Sequence, residues 1–332
     1  MAPNTDEETI PQEYKYSWSE DANISLKDFL AKYKPSMVQN DGTKPWIWVR
    51  SSKEPSRAAD EAQLAAITEA SEVLDEVTAR IESVKNDDSI PLRANKKTGA
   101  KSKKEVREQI QAEATDRFKA IAQKHGYVDG KWLIFAPHDK VDAIWSSLAS
   151  SLIDGPLAGT TAHTIKVSTS PENDDPKYQH VICLYIPDVY DKDSVIKVMK
   201  ILLRDHGATL SGVKSNLYTL LRLDSKHPSG IQSTIWKNAA LMKDTEMKEL
   251  KEQYFTELRA APKAAAGSTT ETGTAAPAPT ASKPKPKLKK KGKDDPFASD
   301  DEVEEVSPPT KKGKRANEDD GNGQPAKKKV AK

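Results

Sequence analysis

The sequence predicts an α+β fold, a curved and mostly antiparallel sheet backed by helices, on three observations. Residues 131–223 order themselves as β-α-β-β-α-β, and both helical stretches are apolar on one side only, so they cover one face of a sheet. A stripe at Ile67, Ala70, Leu74, Val77, Ile81 and Val84, spaced 3, 4, 3, 4 and 3, requires an amphipathic helix within residues 58–85. Composition then changes after residue 260, where the folded domain is expected to end. The 332 residues are 36% hydrophobic and 31% charged with a mean hydropathy of -0.73, too polar for a chain folded throughout.

Residues 1–20 are polar and acidic and are expected to form a disordered arm, with the domain spanning 21–260. ISLKDFLAKY (24–33) predicts a short helix stopped before Pro35. PWIWVRSS from Pro45 alternates Trp46, Trp48 and Arg50 against Ile47 and Val49, a strand pattern. Residues 86–104 lose periodicity and gain six lysines and arginines, a mobile basic loop. A helix returns with Val106, Ile110, Ala114, Phe118 and Ile121 and stops at Gly126. Strand KWLIFAP (131–137) follows, then a helix carrying Val141, Ile144, Trp145, Leu148 and Leu152. Strands are expected at 163–170 and 180–186, a helix at 193–206 closed by Gly207, a last strand in SNLYTLLRL (215–223), and a closing helix at 244–258.

The net charge of +2 conceals an asymmetry. Residues 261–332 hold 16 Lys or Arg against 11 Asp or Glu, leaving 36 against 39 for residues 1–260. The basic character belongs to the tail, whose Ala, Pro, Thr and Gly content offers too little apolar area to offset the entropy of folding. Lys311, Lys312, Lys314 and Arg315, then Lys327, Lys328 and Lys329 after an 11-residue spacer, have the layout of a bipartite signal for a nuclear import carrier. Ser299 before three acidic residues and Ser307 before Pro308 are candidate phosphorylation sites, and phosphate there would weaken the positive potential beside those clusters. No apolar run reaches the roughly 18 residues of a membrane span, and the acidic N-terminus lacks a signal-peptide pattern, so nucleus and cytoplasm are the expected locations.

The single cysteine, Cys183, excludes an intramolecular disulfide and a cysteine zinc site. Neither a phosphate-cradling loop, a nucleophile elbow nor histidines at metal-ligand spacing occur, so no enzyme, cofactor or metal is expected. The alternative, a hydrolase or nucleotidyl-handling enzyme, would need His163, His180 and His206 to converge with Asp188 or Asp205.

Within residues 125–240 the strings GKWLIFAP with VDAIW, IKVST, HVICLYIPDVYDKDSVIKVMKILL, KSNLYTLLRL and SGIQSTIW resemble a eukaryotic family of uncharacterised proteins typified by basophilic leukemia-expressed protein. Its fold is similar to that of translation initiation factor 4E. That resemblance implies a concave sheet face able to hold RNA or a nucleotide and a convex helical face able to hold a protein partner, as yet unidentified. Such a concave face needs aromatic rings for a base and cations for phosphates. Trp46 and Trp48 share one face of their strand, and Lys166, between Ile165 and Val167, points away from both. Lys214, Arg222 and Tyr218 complete the candidate nucleic-acid set, with Lys166 and Lys214 expected to reach one phosphate chain. Trp145 reads either as core or, by its place in the resemblance, as a partly exposed contact for the partner of an adaptor.

Overall fold

A computed structural model of the protein describes residues 14–55, 60–95, 97, 99–172 and 178–260. The chain runs β1 (Ser17–Trp18), α1 (Leu26–Lys32), β2 (Trp46–Arg50), α2 (Asp60–Asn86), α3 (Lys103–Lys124), β3 (Gly130–Pro137) and α4 (Val141–Asp154). It continues through β4 (Thr164–Ser168), β5 (Gln179–Ile186), α5 (Lys192–Arg204), β6 (Leu210–Ser215), α6 (Asn216–Leu220), α7 (Asn238–Leu241) and α8 (Asp244–Ala260). The six strands form one sheet in the order β1-β2-β4-β5-β3-β6. Every pairing is antiparallel except β1 with β2. Among the described residues no helix is long and apolar enough to cross a membrane.

Strand alternation sorts the two faces. Ile47, Val49, Trp132, Ile134, Ile165, Val167, Ile182, Leu184 and Val213 point inward, where α4 and α5 bury Trp145, Leu148, Val198 and Leu202 against them. Trp46, Trp48, Arg50, Lys131, Lys166, Cys183, Tyr185 and Lys214 alternate with these and belong to the other, outer face. The sheet is therefore apolar on the helix side and mixed on the other, as expected for an antiparallel sheet.

A second apolar cluster lies in the α2–α3 hairpin. Ala70, Val77 and Ile81 of α2 meet Ile110, Phe118 and Ile121 of α3, and the segment after β6 adds Leu217, Tyr218 and Ile231. A capping box between Ser102 and Glu105 opens α3, and Gly126 closes it at φ +64°. Gly130 has a different reason to lack a side chain: a Cβ there would run into the Lys214 carbonyl and Val189, so β6 could not approach β3.

Two expectations need correction. Residues 14–20, assigned to the arm, join the domain: Ser17 and Trp18 pair with Trp48 and Val49, and Trp18 is buried. The final strand is Leu210–Ser215 rather than 215–223. From Ser215 onward the chain turns into α6, because the Ser215 hydroxyl accepts from the Leu217 amide and caps the helix. The run LYTLL fits a buried strand and a buried helical turn equally, so periodicity could not choose between them.

Candidate functional site

The outer face carries an in-register set of cations and aromatic rings. One cross-strand row runs Trp48, Lys166, Cys183, Leu133 and Gly212, and the next runs Arg50, Thr164, Tyr185, Lys131 and Lys214. The Lys166 ammonium stands 4.2 Å from the Trp46 ring centre, 4.6 Å from Trp48 and 5.6 Å from Tyr185. Trp48 and Tyr185 are stacked with centroids 6.0 Å apart at 22°. On the far side of Tyr185 the Lys131 ammonium lies 5.3 Å from the same ring. Both ammonium groups thus stand within cation–π range of these rings.

Depth distinguishes these cations. Lys166 is 1% and Lys131 3% exposed, whereas Trp46, Arg50 and Lys214 are half-buried. Lys214 Nζ donates to the Leu223 carbonyl at 2.7 Å. Arg50 lies 3.7 Å from Glu54. His163, just before β4, tilts its ring toward Tyr185 at 6.5 Å, and burial pushes its imidazole down to about 4.

Trp46, Trp48 and Lys166, all three expected on the candidate face, lie together on the outer face. The two indoles flank the Lys166 ammonium. Lys166 and Lys214 are three strands apart, about 14 Å, so they do not share a phosphate. Lys131 fills the gap between them and was missed along with Tyr185. Their signal was present in the alternation of Lys131 with Trp132 and of Tyr185 with Leu184, the same logic that exposed Lys166. Arg222 and Tyr218 leave the set: Arg222 sits at φ +55° in the exposed turn after α6, and Tyr218 is 1% exposed and edge-on to Phe118 in the hairpin cluster. Both followed from placing a strand where α6 forms.

Trp145 is 1% exposed and part of the main core, so it offers no surface to a partner. The three histidines of the enzyme alternative do not converge. His180 Nδ1 faces the Ser168 carbonyl and its Nε2 lies 3.1 Å from His138, while His206 is bracketed by Ser147 and Ser151 of α4 and His163 contacts Thr164. Among the described residues no group of three or more His, Cys, Asp or Glu could hold a metal. Lys311, Lys312, Lys314, Arg315, Lys327, Lys328, Lys329, Ser299 and Ser307 lie outside the described residues.

Residues 3–207 match the family model described as Basophilic leukemia-expressed protein Bles03. The chain belongs to that family. The match holds β1 to β5 and α1 to α5, hence Trp46, Trp48, Lys131, Lys166 and Tyr185. It ends at Gly207, before β6, so Lys214 stands beyond the Bles03 match, as do KSNLYTLLRL and SGIQSTIW.

Proposed function

We propose that this Bles03 family member is a non-enzymatic binding protein that takes single-stranded RNA across the outer face of its sheet, on a fold like that of initiation factor 4E. The observation that carries the reading is the interleaving of Lys166, Lys131 and Lys214 with Trp46, Trp48 and Tyr185 on one face, cations for phosphates beside rings for bases. Spread over about 14 Å, these cations suit a run of nucleotides better than one mononucleotide. Trp46 and Lys214, the half-buried members, are the first contacts open to a ligand. The tail is proposed to engage a nuclear import carrier, so that the protein divides between nucleus and cytoplasm.

The test is fluorescence anisotropy of a labelled single-stranded RNA at two salt concentrations. The chain should end at residue 260, because the tail lysines would bind any polyanion. Trp46→Ala should cost about 1–3 kcal/mol of binding, and Lys214→Glu should weaken binding and flatten its salt dependence. Salt-insensitive binding, or full affinity in both variants with the fold intact by circular dichroism, would defeat the proposal.

A further inference from the structure

Two histidines meet where the β3–α4 loop reaches β5, away from the cationic face. His138, in that loop, is exposed, and His180, the second residue of β5, is 0% exposed. His138 Nδ1 lies 3.1 Å from His180 Nε2, with the rings 23° from parallel and their centres 5.3 Å apart, so they meet end to end, nitrogen to nitrogen. On its other side His180 Nδ1 lies 2.7 Å from the Ser168 carbonyl.

These contacts fix the protons. A carbonyl only accepts, so His180 Nδ1 carries a hydrogen and its Nε2 is a bare acceptor in the neutral ring. His138 Nδ1 must then donate to it, which leaves Nε2 of the exposed His138 as the place for a first added proton. That proton makes the donor cationic and strengthens the bond between the rings. A second proton has no place but His180 Nε2, where two N–H groups and two positive charges would face each other. The other groups around His180 do not remove this conflict. Burial, the larger influence, holds its imidazole below the ordinary range, although Asp142 of α4 favours the charged form; that carboxylate already accepts from the Ser36 amide and hydroxyl. Tyr178 stands at 76° to the ring, 4.9 Å away, with its hydroxyl on Ser168 and Thr169.

The pair also sits where α4 needs it. The residue before that helix, Lys140, makes no side-chain cap hydrogen bond, so His138, two residues earlier, ties an uncapped entry to the sheet. We propose that His138 and His180 share a proton as a latch between the entry of α4 and β5, closed with no added proton or one and opened by the second. The latch goes beyond the RNA-binding reading and does not depend on it.

The full chain labelled with 15N-histidine reports each ring by NMR from pH 8 to pH 4. Because His138 is exposed, His138→Ala leaves the core intact while removing both the donor and the like charge. It should move proton uptake by His180 upward by about one pH unit or more, the coupling at which two sites titrate as a pair. Hydrogen exchange over residues 137–144, where the Lys140 and Ile144 amides bond within the loop and first turn, reads the latch once corrected for its intrinsic pH dependence. In wild type it should quicken by about two- to tenfold, the range for one hydrogen bond, as His180 gains its proton. In the variant it should be that fast already at neutral pH. Uptake by His180 at the same pH in both proteins overturns the shared proton. Exchange that stays level through the wild-type uptake, or a variant as protected as wild type at neutral pH, overturns the latch.

Discussion

Acidification should destabilise this protein through His163, and the structure sets the size of the effect. The residue is 7% exposed, its Nδ1 lies 2.9 Å from the Thr164 hydroxyl, and its buried Nε2 has no hydrogen-bond partner among the described residues. Burial holds the imidazole at about 4 against an ordinary 6.5. As pH falls below 6.5 the unfolded chain gains a proton at this position that the folded chain refuses until about pH 4. The stabilisation is thus complete above pH 6.5, drains away through that window, and changes no further below it. At about 1.4 kcal/mol per decade of proton affinity, the gap is worth about 3 kcal/mol. Burial also lowers His180, His206 and His227, and their contributions run in the same direction. Comparison with His163→Phe isolates the one residue. Urea unfolding at several pH values from 7 to 4 should show wild type losing about 3 kcal/mol more than the variant over that interval. Parallel curves for the two proteins, or an imidazole that titrates near 6.5 in the folded state by NMR, would refute the reasoning.

Trp145→Ala should cost about 3–5 kcal/mol in denaturant unfolding, because the indole is 1% exposed within the α4 core; a near-normal midpoint would mean that the side chain lies at the surface. A fluorescent fusion too large to diffuse through pores should leave the nucleus when residues 305–332 are removed and stay when residues 1–13 are removed. An unchanged nuclear signal after the first truncation would discard the import signal.

Much of the fold was legible because helix and strand periods differ. The stripe from Ile67 to Val84 specified α2, and the alternation in WIWVR, WLIFA, IKV and ICLYI specified both the strands and which side chains share a face. Where an apolar run was too short to show a period, as in LYTLL, the assignment failed and took Arg222 and Tyr218 with it. The edge strand at Ser17–Trp18 escaped notice because two residues carry no pattern, and its pairing with β2 exists only in three dimensions.

By itself the sequence determined that Trp46 and Trp48 share one face of their strand and that Lys166 lies opposite Ile165 and Val167, since neighbours along a strand must take opposite faces. Which rings and cations meet there was decided by tertiary structure alone. Strand order puts β5 and β3 between β4 and β6, so Tyr185 and Lys131 separate Lys166 from Lys214. Register then brings Lys166 opposite both Trp48 and Cys183. Neither order nor register is a local property of the chain, because both come from strands distant in sequence burying their apolar faces against α4 and α5 at once.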